Sequence, residues 1–221
     1  MKLDRVLQLL LATLILAIAT AFGQANYKAE GIGAAPADVP TALQKVLDSQ
    51  GARAVNPQGA ALCEVWLRKT LPTSATPSTS SDTLYGALTA GSFLGVVNLP
   101  AALTDFRGQA IKPGFYTLRY ALIPLDGNHM GVNPSRDAIV LAPVSADQDP
   151  DKVLNFDDLV KLGRQASGTA HPAILVAAQV NGEQFPSVVK DDQDHWNLQV
   201  KGHAQSGDLP LAITIVGKWQ G

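Results

Sequence analysis

The sequence KPGFYTLRYALIP, residues 112–124, contains the clearest strand pattern in this chain of 221 residues. Pro113 and Gly114 mark a turn, and large apolar residues then occupy every second position. Those residues are Tyr116, Leu118, Tyr120 and Leu122. Because successive side chains of a β-strand point to opposite faces, this alternation predicts a strand with one apolar face.

Strand patterns of the same kind recur along most of the chain. Alternating or continuously apolar segments lie at residues 53–55, 61–69, 93–99, 138–144, 173–180, 188–190, 195–201 and 211–219. Helical patterns lie at residues 38–47 and 155–166, and two helices are too few for a fold that alternates strands with helices. We therefore predict a mainly β fold, an antiparallel β-sandwich of immunoglobulin-like or jelly-roll-like type with two short helices.

Residues 1–25 have the pattern of a secretory signal peptide. Two basic residues precede an apolar run at residues 6–22, and the small residues Gly23 and Ala25 follow. A positive start, an apolar centre and a small-residue exit are typical of a cleaved leader. We expect a secreted or periplasmic protein with no membrane span after signal cleavage. The alternative is an uncleaved N-terminal membrane anchor, because the apolar run is close to the length that spans a bilayer.

Residues 26–221 are expected to form a single β-sandwich domain. Within it, residues 72–83 are rich in Pro, Ser and Thr and contain little to bury, which predicts a surface loop. The chain contains one cysteine, Cys63, so no internal disulfide can hold the fold. Cys63 lies in an alternating segment, and we interpret it as a buried small apolar residue.

The composition argues against a protein that binds nucleic acid by neutralising phosphates. The chain has 17 Lys and Arg against 19 Asp and Glu, a net charge of −2, and 46% hydrophobic residues. Phosphate neutralisation needs an excess of basic side chains, and disordered chains have fewer apolar residues and more net charge. We therefore expect a folded protein without a nucleic-acid partner.

Four segments resemble uncharacterised exported bacterial proteins. They are IKPGFYTLRYALIPLDGNHMGV at residues 111–132, SGTAHPA at 167–173, HWNLQV at 195–200 and ITIVGKW at 213–219. The resemblance covers mainly the C-terminal half of the chain, and no activity is attached to this group of proteins of unknown function. It implies an exported protein of β-sandwich type and nothing about mechanism.

The polar loop that follows the KPGFYTLRYALIP strand is the first candidate ligand site. Asp126, Asn128 and His129 lie in this loop, and Arg136 and Asp137 stand where the next strand begins. Polar loops between buried strands often hold binding residues, and the charge of a histidine changes near neutral pH. The alternative is a structural turn whose carboxyl and amide side chains bond to the backbone.

His171 lies in a second loop, between the predicted helix and the next strand. If both loops lie at one end of the fold, His129 and His171 could bind a divalent metal together with Asp126 or Asp137. This gives a metal-binding protein or metal-dependent enzyme as an alternative, although no cofactor is otherwise predicted. The simpler interpretation is two unrelated surface histidines.

Asp147, Asp149 and Asp151 have the spacing of the first ligands of a calcium loop. A lysine stands where the tight turn of such a loop requires glycine, and no helical pattern precedes it. The competing interpretation is an acidic connection into the helix at 155–166, whose positive N-terminal end favours carboxylates. A further acidic segment at residues 191–194 is interpreted as a solvated hairpin turn.

Motifs of known catalytic classes are missing from the sequence. It contains no nucleophile elbow, no H-E-x-x-H pair, no phosphate-binding loop and no dinucleotide fingerprint. We therefore predict an exported, non-enzymatic binding or structural module of the cell envelope, whose partner is an envelope protein or a glycan. A carbohydrate-binding module is a further alternative, because an outward-facing Trp196 or Trp219 could stack a sugar ring.

Overall fold

The computed structural model describes residues 26–126 and 135–218, so the predicted signal peptide lies outside the described residues. The strands are β1 (Lys28–Ile32), β2 (Gly51–Val55), β3 (Ala61–Leu67), β4 (Phe93–Leu99), β5 (Leu103–Thr104), β6 (Ala110–Ile111), β7 (Gly114–Leu122), β8 (Asp137–Pro143), β9 (Ile174–Ala178), β10 (Ser187–Lys190), β11 (Trp196–Val200), β12 (His203–Ala204), β13 (Gly207–Asp208) and β14 (Leu211–Val216). The described ranges contain two helices, α1 (Thr41–Gln44) and α2 (Phe156–Ser167). Neither helix has the length and apolar character that crossing a membrane would require.

Ten of the strands form one antiparallel sheet in the order β1-β2-β3-β4-β7-β8-β9-β14-β11-β10. β9 joins the two halves of this sheet, because residues 174–176 pair with β8 and residues 177–178 pair with β14. The edge strands β1 and β10 contact each other, so the sheet is nearly barrel-shaped. The mainly β fold with two short helices is confirmed, whereas a sandwich of two separate sheets is not.

The interior of the curved sheet contains the apolar face that the sequence predicts for β7. Tyr116, Leu118 and Tyr120 all belong to the largest cluster of buried side chains. Cys63 of β3 lies in the same cluster, and burial raises the pKa of its thiol to about 12. Cys63 is therefore the buried small apolar residue that the alternation indicated, and its thiol stays protonated at neutral pH.

The outer face of the sheet is also covered, which the alternation on β7 did not predict. α1 places Leu43 in an apolar cluster with Trp66 of β3 and Phe93 of β4. α2 places Leu159 in a second cluster with Val140 of β8. Both faces of β7 and β8 are therefore buried, and the polar side chains between the apolar ones are shielded from water.

Arg119 of β7 is fully buried on this outer face. Its Nε and Nη2 donate to the two carboxylate oxygens of Asp147 at 2.8 and 2.7 Å. Nη1 and Nη2 also donate to the carbonyl oxygens of Lys152 and Asp149, each at 2.6 Å. A buried ion pair is tolerated only when its remaining donors are bonded, and the loop at residues 144–154 supplies these acceptors.

The same loop meets the sheet surface at Gly91, whose φ is +84°. The amide of Leu154 donates to the carbonyl oxygen of Gly91 at 3.2 Å, and a side chain at Gly91 would overlap the carbonyl oxygen of Leu154. Glycine is favoured here both by its positive φ and by the close approach of the two backbones. This contact fixes the position of the chain just before α2.

α2 begins and ends where the sequence predicts. The side chain of Asn155 accepts a hydrogen bond from the amide of Asp158 at 2.9 Å, which identifies Asn155 as the N-cap. Asp157 and Asp158 lie in the first turn, where the positive end of the helix dipole favours carboxylates. Gly168 ends the helix in the left-handed conformation, with a φ of 68°.

Asp147→Ala should lower the free energy of unfolding by about 3–5 kcal/mol, because the charge of Arg119 would remain buried without a counter-ion. The matched control is Asp151→Ala in the same loop, since Asp151 pairs with Arg68 at 2.7 Å while its own side chain is 75% exposed. Exposed pairs of this kind contribute about 0–1 kcal/mol. Urea unfolding measures both losses, and equal losses would show that the buried pair does not hold the loop.

Asn155→Ala should cost about 1 kcal/mol of unfolding free energy, because an amide in the first turn of α2 loses its acceptor. Asn155→Ser is the control, since a serine hydroxyl caps a helix about as well as asparagine. Thermal unfolding followed by circular dichroism measures both variants. An unchanged midpoint for the alanine variant would contradict the assignment of Asn155 as the cap.

Candidate functional site

The candidate residues of the first polar loop differ in whether the structure describes them and in what they contact. Asn128 and His129 lie outside the described residues, and Asp126 is exposed at the end of the described segment. The guanidinium of Arg136 is used within the fold, because its Nε donates to the carbonyl oxygen of Ile123 at 2.8 Å. Arg136 therefore joins the chain leaving β7 to the chain entering β8.

Asp137, another candidate ligand residue, is fully buried. Its carboxylate accepts hydrogen bonds from the amides of Leu84 and Tyr85 at 2.7 and 2.9 Å and from the hydroxyl of Tyr120 at 2.7 Å. Burial and then the bond to Asp137 raise the pKa of Tyr120 above its usual range, so its hydroxyl remains a donor. Asp137 thus anchors residues 84–85 to the sheet, and its role as a ligand residue stays a prediction.

The segment that Asp137 anchors reaches the place where β9 changes partners. The hydroxyl of Tyr85 donates to the carbonyl oxygen of Ala178 at 2.7 Å and accepts a hydrogen bond from the amide of Ala212 at 2.9 Å. These two alanines are opposite each other in the β9–β14 pair. Burial raises the pKa of Tyr85 to about 12, so the hydroxyl keeps the proton that it donates.

His171 is exposed, in the loop between α2 and β9. The hydroxyl of Ser167 donates to its carbonyl oxygen at 2.6 Å, and its own amide donates to the hydroxyl oxygen of Thr169 at 3.0 Å. These bonds stabilise a tight turn. Asp137 is buried and accepts the hydroxyl of Tyr120 from the interior cluster, whereas His171 is exposed. In residues 26–126 and 135–218, no group of three His, Cys, Asp or Glu side chains could hold a metal ion.

The three carboxylates of the calcium hypothesis are bound to other partners. Asp147 belongs to the buried pair with Arg119, and Asp151 pairs with Arg68. Oδ1 of Asp149 accepts the amide of Asp151 at 3.0 Å. Carboxylates that bind calcium must converge on one point, and this part of the described chain holds no such group. The contacts favour the competing interpretation, an acidic connection into α2.

A cleft of about 210 Å³ lies between α2 and the outer face of the sheet, and we call it the helix–sheet cleft. Its floor is formed by small and medium apolar side chains of β7, β8, β9 and the chain just after β7. These residues are Ala121, Ile123, Ala138, Val140 and Ile174. Phe156 and Val160 of α2 form one wall, and Pro172 contributes to the other. The concavity is therefore apolar except at its rim.

The packing of α2 leaves room for this cleft. Gly163 is a point of close approach between the helix and the rest of the fold, because a side chain there would overlap Pro172. Phe156, Val160 and Arg164 are spaced four residues apart and therefore lie along the same face of α2. This row lines the cleft, while Leu159 packs against the sheet.

The polar side chains at the rim of the helix–sheet cleft are Arg107, Arg164 and His171. The Nε of Arg164 donates to the carbonyl oxygen of Ala170 at 2.7 Å, which holds the start of the guanidinium in place. Arg107 lies in the turn between β5 and β6, where Asp105 accepts the amides of Arg107 and Gln109 at 3.1 and 2.8 Å. The sequence pattern identified His171, but it contained no signal that this turn lies beside α2.

The hairpin turn at residues 191–194 forms a polar cluster with His195 that the sequence interpretation missed. Nδ1 of His195 lies 3.2 Å from Oδ2 of Asp191, and Nδ2 of Asn197 donates to the same oxygen at 3.1 Å. Oδ1 of Asn197 accepts the hydroxyl of Thr214 at 2.7 Å. The cluster borders a second cleft, of about 280 Å³. The contacts within this polar cluster fix the β10–β11 hairpin. In the sequence, only the four-residue spacing of Asp191 and His195 could have indicated the cluster.

Trp196, the aromatic candidate for a sugar site, contacts two neighbouring side chains. Its ring centroid lies 4.8 Å from that of Tyr27, and the ammonium group of Lys190 lies 5.8 Å from the centroid of Trp196. A sugar ring stacked on this indole would compete with these contacts. Trp219, the other candidate, lies outside the described residues.

Asp191→Asn should reduce the loss of stability on acidification. Burial raises the pKa of Asp191, but hydrogen bonds from the His195 amide, the Asn197 side chain and the Gln193 amide bring it below its ordinary value of 3.8. A carboxylate whose pKa is lowered by folding stabilises the fold above about pH 4, and this contribution is lost as the pH falls through the lowered pKa. Chemical unfolding at pH 5 and pH 3 should therefore show a larger loss for the wild type than for the variant.

The control for this experiment is Asp192→Asn, which removes an exposed carboxylate next to the cluster. This variant should lose as much stability between the two pH values as the wild type does. If Asp191→Asn also behaves like the wild type, the bonds to Asp191 do not stabilise the fold.

Three features of the structure converge at one place: an apolar floor, a helix wall and a basic rim. Concave apolar sites with a few polar groups are where proteins hold small ligands.

Comparison of the chain with protein-family models, with curated proteins and with solved structures gave no significant match.

Proposed function

We propose that this protein is an exported, non-enzymatic binding module that holds a small ligand in the helix–sheet cleft. The observation that carries the proposal is the distribution of polarity in the cleft, which has an apolar floor and wall and basic side chains only at the rim. Small-molecule sites combine an apolar concavity with a few placed polar groups. Export is supported by the leader pattern of residues 1–25.

The size and lining of the cleft limit the ligand. A volume of about 210 Å³ is below the roughly 300–1,000 Å³ of sites that enclose drug-sized molecules. The half-buried Phe156 and Val160 offer apolar surface, and covering such surface gains about 25 cal/mol per Å². We therefore expect a ligand with a short apolar body.

The proposal includes the wider setting of the cleft. We regard residues 26–221 as one domain of the cell envelope with a sandwich-like arrangement of two sheet layers, in which β9 forms the corner. Its pairing with β8 through residues 174–176 and with β14 through residues 177–178 supports this view. The alternative is a purely structural module of the cell envelope, which would bind no ligand in the cleft.

The metal-binding and carbohydrate-binding alternatives have less support from the described residues. His171 lies at the rim of the cleft, but Asp137 is engaged with Tyr120 inside the fold. Trp196 already contacts Tyr27. The helix–sheet cleft leaves about 210 Å³ between the described residues that line it, and a ligand there would displace neither of these two contacts.

Filling the cleft should abolish binding of a small apolar probe, 1-hexanol. We expect the wild type to bind 1-hexanol with a Kd of about 1 mM, as a ligand of this size allows. Val160→Trp should remove binding, because the larger side chain occupies the cleft. Ligand-observed NMR measures this affinity, and circular dichroism confirms that each variant is folded.

The matched control is Gln165→Trp, which adds the same side chain at an exposed position of α2 outside the cleft lining. It should keep the affinity of the wild type. Ala170→Trp provides a second filling variant on the exposed loop at the rim. If 1-hexanol fails to bind the wild type, or binds both filled variants equally well, the cleft is not the binding site.

A further inference from the structure

We infer that the ligand of the helix–sheet cleft is a small organic anion, whose apolar body lies in the cleft and whose carboxylate binds Arg107 and Arg164 at the rim. This inference rests on the proposed function and adds the charge of the ligand to it.

The arginines of the described residues divide into two groups by their partners. Four of them have a carboxylate oxygen within 4.0 Å, namely Arg53, Arg68, Arg119 and Arg136. Arg107 and Arg164 have no such partner among residues 26–126 and 135–218, and both line the helix–sheet cleft. The two guanidinium groups without a counter-ion in these ranges therefore stand beside the same apolar surface.

The acid closest to Arg107 along the chain is already occupied by amide donors. Asp105 is fully buried, and its Oδ1 accepts the amides of Arg107 and Gln109 while its Oδ2 accepts Nε2 of Gln109 at 2.8 Å. These bonds shape the turn that carries Arg107. They leave the positive charge of the Arg107 guanidinium for another anion.

Both sides of the rim are held in place before any ligand arrives. Gln109 ties the Arg107 turn to the loop after α2, because its Nε2 donates to the carbonyl oxygen of Pro172 at 3.3 Å and its Oε1 accepts the hydroxyl of Thr169. Arg164 is tied to the same loop through Ala170. Fixed groups lose less entropy on binding than mobile ones, so this rim is suited to a ligand contact.

The electrostatic balance at the rim favours an anion even though α2 ends there. The C-terminal end of a helix carries the equivalent of about half a negative charge. Two full guanidinium charges outweigh it, and the exposed His171 adds at least one N–H donor in either tautomer. The planar guanidinium matches the two oxygens of a carboxylate, which is why we assign this head group.

The test compares three ligands with the same six-carbon body: hexanoate, 1-hexanol and hexylamine, at pH 7.5. Ligand-observed NMR with the folded wild-type protein should show hexanoate binding about tenfold more tightly than 1-hexanol, as expected for a charge-assisted bond partly screened by solvent. Hexylamine, protonated at this pH, should bind most weakly. Equal affinities for hexanoate and 1-hexanol would overturn the inference and leave the proposed function standing.

The deciding variant is Arg107→Gln, because the exposed Arg107 side chain forms no ion pair in the described part of the fold. It should weaken the binding of hexanoate about three- to tenfold and should weaken the binding of uncharged 1-hexanol much less. Arg164→Gln should act in the same direction. Lys28→Gln on β1 is the control, since it removes the same charge outside the cleft.

Other outcomes of this experiment separate the two proposals. An equal loss for hexanoate and 1-hexanol in both arginine variants would overturn the charge recognition, because the change would then act on the apolar body. An equal loss of hexanoate binding in Lys28→Gln would also overturn it, since net charge alone would explain the effect. Failure of all three ligands to bind the wild type would reject the proposed function itself.

Discussion

The burial of the Arg119 guanidinium is the constraint on which the outer surface of this protein depends. A fully buried charge is tolerated only when a counter-ion and further acceptors surround it, and Asp147 and the carbonyls of its loop provide both. The loop is thereby held against the sheet as far as Leu154, and the next residue, Asn155, caps α2. The buried ion pair thus fixes where α2 begins, and the packing of Leu159 against the sheet holds the helix beside the helix–sheet cleft.

Asp137 has a comparable role toward the interior. It holds the amide of Tyr85, and the hydroxyl of that tyrosine bonds a carbonyl of β9 and an amide of β14. β9 changes partners at this point, and buried backbone groups need hydrogen-bond partners wherever a regular ladder is interrupted. A loop side chain supplies them here. The sheet can therefore turn from one half to the other as a continuous structure.

Local patterns predicted most of the strands and the long helix, because their causes lie close together along the chain. The apolar run at residues 93–99 is β4, and Asn155 and Gly168 bound α2 as their capping chemistry indicates. The pairing of β9 with both β8 and β14 left no such local trace, since alternation does not say which strands are neighbours. The rim of the helix–sheet cleft could not be predicted for the same reason, because it depends on a contact between Gln109 and Thr169, which is 60 residues further on.

The arginines show why the candidate site could not be separated from the core by sequence alone. Arg119 stands among apolar residues of a strand and Arg164 lies on an amphipathic helix, and neither position shows whether a carboxylate will reach it. Arg119 forms a buried ion pair with Asp147, which is 28 residues further along the chain, and its charge is used within the fold. Within the described ranges Arg164 receives none and stays exposed, so its guanidinium retains the capacity to bind an anion. We therefore expect anion binding on this outer surface at the arginines that the carboxylates of the described residues do not reach.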